Sequence, residues 1–476
     1  MRSKLQKFTD FANTLLPHET AYLLRIQQFQ DDERLAILQK VDYNCRNILQ
    51  FEPYDESIDK RKYSHLKNWI VERLEAIDVD VKFNWMSELE RKIMTDSILP
   101  TEEKRLLKVI RNYRPPSFFF TKMYELAERY QPFLLIRMRY ADYRLVNRFL
   151  EKYQQAYHRS KSIEKKMHQA TLDIVEQYAE NTAESKLWED WLTEVFYDKD
   201  LDGLNRYLAL VRLIFIGFNY RKFDTLLEKF DYLDNLFKEG KYYSKRLLLN
   251  YYSNRLLLHS KFKQLDQAVY YGYLSIRAKN HDFLFYSNNL CAILLRQNKA
   301  EAALKVIKGA ATEAKTTKNL HNKITHVAFY IESLNKNRRF RSAENYAKSF
   351  LTAYKKEIFE YRWHIFFTAY LDALLHQKKY HQLIRVIRQN KLLEKEKAYQ
   401  SRANYLPTIF WYHAVAAYKE HLIDESTLQS RLSQFTGDID QDESKFSLVV
   451  DLLHQLHPFI PKTVNLVFDK IKVKSN

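Results

Sequence analysis

A stretch of 274 consecutive residues, from 133 to 406, contains no proline and only five glycines. Proline interrupts helices because it lacks a backbone N–H and clashes with the preceding turn. Tight hairpins, Rossmann crossovers and phosphate-binding loops need glycine where the backbone is left-handed or closely approached. The full chain of 476 residues holds 6 glycines, far below the usual share of about 7%. Long runs of packed helices are therefore favoured, and sheet-rich or nucleotide-cradling folds are disfavoured.

The region before this stretch also has a helical pattern, but six prolines interrupt it. Apolar residues recur there at three- and four-residue intervals, which is typical of amphipathic helices. The spacing predicts helices over residues 19–28, 33–49, 60–76, 83–94, 101–113 and 118–130. A further pair is expected at 133–157 and 163–179. The alternating pattern of residues 464–474 indicates a short strand or an extended tail.

Pairs of helices with a shared design recur in the proline-free stretch. In the clearest pair, Leu290 and Leu294 lie on a first helix, and Ala303 and Ile307 lie on a second. The spacing of Leu290 and Ala303 fits two helices that cross, and a small side chain at the second position lets their backbones approach. Looser copies have lead residues at 213, 330 and 370, and residues 246–260 with 265–278 supply one more pair. The pattern thus predicts about five pairs with a period of roughly 40 residues, which lies within the range of helical repeat proteins.

This pattern resembles a degenerate member of the tetratricopeptide superfamily over roughly residues 200–390. The family period is about 34 residues; here the period is longer, the second position often holds Ile or Leu, and the terminal proline is missing. The resemblance implies an all-α, right-handed superhelix of paired antiparallel helices, and another α-solenoid class is the alternative. The expected regions are an irregular helical module at 1–131, the repeat array at 132–407 and a helical cap and tail at 408–476.

The resemblance also implies that a peptide or protein segment binds in a groove lined by the first helix of each pair. The mapped groove positions are Phe285, Asn288, Arg296, Glu332, Asn335, Lys336, Thr368, Asp372 and His376. Their polar and amphipathic mixture suits a peptide. It lacks the Lys/Asn set with which some members of the superfamily clamp a C-terminal carboxylate.

The formal net charge is +18, and all of the excess lies after residue 200. Residues 241–400 hold 30 basic and 11 acidic side chains. Basic residues cluster at the turns between paired helices, where they would line one edge of a solenoid: Lys261, Lys263, Lys299, Arg338, Arg339, Arg341, Lys378 and Lys379. Such an edge could bind RNA or another anion. The alternative is that these cations complement helix dipoles and keep the turns hydrated.

The residues that usually carry chemistry form no complete motif. Residues 198–203 resemble the start of an EF-hand loop, but Ala209 stands where the bidentate Glu belongs, so helix capping is the favoured interpretation. Residues 438–443 match less well and indicate a loop. The histidine pairs 376/381 and 454/457 lack a third metal ligand at suitable spacing. Neither catalysis nor a cofactor or metal is expected.

Cys45 and Cys291 are too few for a disulfide framework, which favours a reducing compartment such as the cytoplasm. No targeting segment is predicted, and the apolar stretch 208–218 is too short to span a bilayer, so it indicates a buried helix. A non-enzymatic scaffold that binds a protein or peptide is the leading functional hypothesis. An RNA- or anion-binding array and a peptide-gated regulator are the alternatives, with an unrecognised enzyme behind them.

Overall fold

The computed structural model describes residues 4–48, 50–180, 184–400, 405–434 and 443–474. Within these ranges it contains 25 α-helices, one short 3-10 helix and no strand, which confirms the all-α fold class. The chain divides into two compact units, Met1–Asn280 and His281–Asn476. The three regions drawn from proline spacing and repeat register stay a prediction.

The helices of the first unit pack mainly against their neighbours in sequence. They are α1 Gln6–Ala12, α2 Pro17–Ile26, α3 Asp32–Arg46, α4 Lys60–Ile77, α5 Val79–Met94, α6 Pro100–Arg111, α7 Phe120–Ile136, α8 Tyr140–Glu180, α9 Glu189–Tyr197, α10 Gly203–Asn219, α11 Phe223–Lys238, α12 Lys245–Lys261 and α13 Leu265–Ser275. The 3-10 helix Ser185–Trp188 precedes α9. The predicted buried helix at 208–218 is part of α10.

One predicted pair in this unit is wrong. Residues 133–157 and 163–179 do not form two helices, because residues from 140 to 180 form the single long helix α8. The polar stretch between them contains neither proline nor glycine, and Ser160, Met167 and Ala170 are buried against the unit. Helix α7 likewise continues through Pro132 to Ile136, so this proline does not mark a helix boundary.

The second unit continues the paired pattern and ends in shorter helices. Its helices are α14 Phe283–Arg296, α15 Ala300–Gly309, α16 Ala311–Thr316, α17 Leu320–Lys336, α18 Phe340–Tyr361, α19 Trp363–His376, α20 Tyr380–Gln389, α21 Leu392–Tyr399, α22 Thr408–Lys419, α23 Glu425–Ser433, α24 Glu443–Leu456 and α25 Pro461–Lys474. The expected strand or extended tail at 464–474 is wrong, since these residues belong to α25. Val464 and Val467 are fully buried, and their three-residue spacing places them on one helical face.

The five predicted pairs are α10/α11, α12/α13, α14/α15, α17/α18 and α19/α20, and all five share one turn geometry. Three residues separate the two helices, and the middle one has a left-handed backbone with φ between 56° and 59°. The third turn residue donates its N–H to a carbonyl five residues earlier: 222 to 217, 264 to 259, 299 to 294, 339 to 334 and 379 to 374. These bonds define a Schellman motif. The repeated motif makes each pair antiparallel in the same way.

The predicted small positions lie where paired helices cross. Ala268, Ala303 and Ala343 are completely buried. At Gly217, an added Cβ would lie 2.5 Å from the Leu226 side chain of the partner helix, so a larger residue would force Leu226 to shift. A hydrogen bond also joins the α14/α15 pair to the α17/α18 pair: Asn337 Nδ2 donates to the Ala300 carbonyl at 2.9 Å.

Among the described residues, no helix combines the length and the apolar character needed to cross a membrane.

Candidate interaction site

Five of the nine predicted groove residues form a charged row on the first helices of the second unit. Arg296, Lys336 and His376 are the last residues of α14, α17 and α19, and all three are exposed. One helical turn earlier lie Glu332 on α17 and Asp372 on α19, both half-buried. Since α14 packs on α17 and α17 packs on α19, equivalent residues of the three helices line up side by side. We call these five residues the A-helix row.

The two carboxyl groups of the A-helix row are poorly hydrated. Loss of hydration raises the pKa of Glu332 to about 7; Lys336 and Arg296 act to lower it, and Asp372 acts to raise it. Burial likewise raises the pKa of Asp372, against the attraction of His376 and Lys336 and against hydrogen bonds with Asn335 and Tyr412. For both carboxyl groups, the loss of hydration thus raises the pKa by more than the nearby cations lower it.

Aromatic rings fix the end of this row. His376 Nε2 lies 3.5 Å from Asp372 Oδ1. The imidazole stacks on the ring of Phe340, with centroids 4.6 Å apart and planes inclined by 8°. Phe459, between α24 and α25, presents its ring to the imidazole at 5.1 Å. These contacts hold His376 in one orientation beside Asp372.

The other four predicted groove residues have different surroundings. Asn288 and Asn335 are buried, and their side-chain amides donate to the carbonyls of Asn322 at 3.1 Å and Ala369 at 2.8 Å. Both asparagines therefore join successive helix pairs, and the Asn335 side chain also forms a hydrogen bond with Asp372 of the A-helix row. Their role in binding stays a prediction. Thr368 is half-buried. Phe285 keeps 37% of its surface exposed on α14.

The predicted basic residues lie in the turns or within two residues of them, but they belong to two units. Lys261 and Lys263 are in the first unit, and Lys299, Arg338, Arg339, Arg341, Lys378 and Lys379 are in the second. Lys263, Arg338 and Lys378 occupy the left-handed position of their turns.

Lys379 and Lys261 illustrate the contacts that some of these lysines make within the fold. Lys379 Nζ forms a 2.5 Å ion pair with Glu344, which is 2% exposed. Lys261 lies over the rings of Phe218 and Phe223. Arg338, Arg339 and Arg341 are exposed, and none of them forms an ion pair within the part of the chain that the structure describes. The three arginines thus form an accessible basic group at one turn.

The EF-hand-like segment caps a helix. The Asp202 side chain is the N-cap of α10 and accepts from the backbone N–H of Asn205 at 3.0 Å, which confirms the capping interpretation. Among the described residues, no group of three or more His, Cys, Asp or Glu side chains is arranged to hold a metal ion. Residues 438–442 of the second acidic segment lie outside the described residues.

One polar cluster was not predicted from the sequence. His18 of α2 is buried and bonds through Nδ1 to the Tyr252 hydroxyl at 2.6 Å and through Nε2 to Asp234 at 2.8 Å. Beside it, the Tyr243 hydroxyl donates to buried Glu19 at 2.6 Å. The partners lie far apart in the sequence, so no local pattern could reveal them. The cluster fastens α2 to α11 and α12.

No protein family, no curated protein and no solved structure matches this chain.

Proposed function

We propose that the protein is a non-enzymatic adaptor that binds a protein segment along the A-helix row of its second unit. The observation that carries this proposal is the side-by-side placement of Arg296, Lys336 and His376, with Glu332 and Asp372 one turn below them. Equivalent positions on consecutive helices supply a regular polar surface of the kind that a repeat protein uses for an extended ligand. Membership of the tetratricopeptide superfamily and a cytoplasmic location are parts of the same proposal.

The two carboxyl groups indicate the chemistry of the ligand. A Lys or Arg side chain placed on Glu332 or Asp372 would favour the ionised form and replace the hydration that burial removed. Neighbouring helices pack about 8–10 Å apart. A segment in the polyproline II conformation advances about 3.1 Å per residue and returns to the same face every third residue. The preferred ligand is therefore a polyproline II segment with basic residues three positions apart.

This preference can be tested with designed peptides. Nine-residue peptides that carry two lysines at positions i and i+3 are compared with peptides of the same composition that carry them at i and i+1. Fluorescence anisotropy should give at least tenfold tighter binding for the first spacing, and Glu332→Gln with Asp372→Asn should remove that preference. The control variant, Glu301→Gln with Glu360→Gln, removes the same charge from exposed positions. It should keep the preference for the i, i+3 spacing. Equal affinity for both spacings would contradict the proposal.

Exposed Arg338, Arg339 and Arg341 favour a second candidate, an anion-binding function at the turn between α17 and α18. Reversing all three to Glu should leave folding intact, since exposed charges contribute little to stability. If RNA is the ligand, the triple variant should lose more than tenfold in affinity for a single-stranded RNA oligonucleotide at low salt. The slope of affinity against salt should also flatten, because fewer counterions are released. Unchanged RNA binding by the triple variant would exclude this turn as the RNA-binding site.

A further inference from the structure

Six large apolar side chains are exposed at one end of the helices α5 to α8 in the first unit. Each keeps between 47% and 77% of its surface accessible: Met94, Leu99, Leu135, Ile136, Met138 and Tyr140. We call this set the apolar tip. Connecting segments at a protein surface are ordinarily polar, and a contiguous exposed apolar patch indicates a binding surface.

Contacts between two turns bring these residues together. Met94 and Leu99 flank the turn from α5 to α6, and the other four flank the turn from α7 to α8. Arg137 Nη2 of the second turn lies 2.7 Å from Asp96 Oδ1 of the first. Arg139 also pairs with Glu103 of α6. The two turns therefore lie side by side and form one protruding end.

The fold beneath the tip does not need these side chains. Ile93, Leu106 and Leu134 fill the core at this end and are almost completely buried. Met138 stands at the left-handed position of its turn, with φ of 57°, where glycine or asparagine is the ordinary residue. A flexible apolar side chain is thus held outward at a position where packing gives it no role.

Cations without carboxylate partners surround the tip. Every acidic residue between 91 and 105 and between 135 and 148 forms an ion pair with Arg or Lys. These residues are Asp96, Glu102, Glu103 and Asp142. Lys104, Arg105 and Arg144 are exposed and form no ion pair among the described residues. They lie on α6 and α8 about one helical turn from the tip. The surroundings of the tip are therefore positively charged.

We infer that the apolar tip inserts into the headgroup layer of an anionic phospholipid bilayer, while the surrounding cations contact lipid phosphates. A protruding apolar end with a basic surround matches the interfacial zone of such a bilayer, where apolar residues enter the acyl boundary and Lys and Arg stay at the charged surface. Tyr140 is of the residue type enriched at that depth. The apolar tip shares no residue with the A-helix row, so the inference does not depend on the proposed function.

Sedimentation of the full chain with lipid vesicles tests the inference. Mixed vesicles of phosphatidylcholine and the anionic lipid phosphatidylserine should bind the protein, and phosphatidylcholine alone should bind it at least tenfold more weakly. Ile136→Ser with Met138→Ser should lower the partition coefficient on the anionic vesicles at least tenfold, and circular dichroism should show unchanged helicity. Leu187→Ser with Leu422→Ser, at positions of similar exposure elsewhere, is the matched control and should leave binding unchanged.

A second arm tests the charges. Lys104→Gln with Arg144→Gln should weaken binding to anionic vesicles severalfold and leave binding to neutral vesicles unchanged. Absence of wild-type binding to anionic vesicles would overturn the inference, as would equal binding by the wild type and the tip variant. Self-association in analytical ultracentrifugation that the tip variant abolishes, without vesicle binding, would identify a second copy as the occupant and also overturn it.

Discussion

At the scale of single residues, Glu344 shows how this fold accommodates a buried charge. Its side chain is 2% exposed and forms 2.5 Å ion pairs with Lys348 of its own helix and with Lys379 of the next turn. Burial alone would raise the pKa of Glu344, but these hydrogen bonds outweigh it and lower the pKa to about 2. Lys379 is thus a structural residue as well as part of the basic turn.

Glu344→Gln should destabilise the second unit by about 2 kcal/mol at pH 7, because two lysines lose their buried partner. The pKa of Glu344 is lower in the folded state than in the unfolded state. Its contribution is therefore present above about pH 4.5 and is lost as the pH falls towards 2. Urea unfolding at pH 7 and pH 3 measures both effects. If the variant and the wild type differ equally at the two pH values, this assignment is wrong.

Glu332 should show the opposite pH dependence. Its pKa is raised to about 7 in the folded protein, so folding favours the protonated form and its stabilising effect is lost as the pH rises from about 4.5 through 7. Glu332→Gln should match the wild type at pH 5 and exceed its free energy of unfolding by about 1–2 kcal/mol at pH 8. Denaturant melts at the two pH values check this, and a variant that is less stable at pH 8 would refute it.

At the scale of helices, the pairs could be predicted because their cause is local. Leu290 and Ala303 repeat the spacing of a helix crossing, and the absence of proline lets each helix continue. The course of α8 could not be predicted in this way, because only tertiary burial of Ser160, Met167 and Ala170 shows that its polar middle stays helical. The left-handed turn residues were also missed, since Lys, Arg and Asn stand where glycine usually marks such a turn.

The buried small residues at the crossings give a test of the repeat register. Ala303 and Ala343 are completely buried, so Ala303→Leu and Ala343→Leu should each overpack a crossing and cost roughly 1–3 kcal/mol. Ala302→Leu is the comparison variant, because Ala302 lies one position away and is half-buried. It should lower the free energy of unfolding by less. Thermal melts of the three variants measure the difference. Wild-type melting temperatures for both crossing variants would show that the crossings lie elsewhere.

At the scale of the whole molecule, the candidate site was partly predictable. A shared repeat period was enough to place Arg296, Lys336 and His376 at equivalent positions, and the structure aligns them. The hydrogen bonds from Asn288 and Asn335 to the next helix pair could not be predicted, because a repeat period alone does not show which polar side chain meets a neighbouring carbonyl. The resemblance implied a peptide or protein ligand without stating its charge, whereas the poorly hydrated carboxyl groups of Glu332 and Asp372 favour a cationic one.

The most direct test of the central claim is the number of protons released when a lysine peptide of i, i+3 spacing binds. Calorimetry in buffers of different ionisation enthalpy measures this number. The measurement uses the His376→Gln variant, because the one histidine of the A-helix row could otherwise release protons itself. At pH 7 we expect net proton release and an affinity that rises about tenfold between pH 6 and pH 8, because bound lysines lower the pKa of Glu332 and Asp372. Both effects should vanish in Glu332→Gln with Asp372→Asn. Peptide binding without proton release, or binding that strengthens as the pH falls, would show that the peptide lysines do not bind at Glu332 and Asp372.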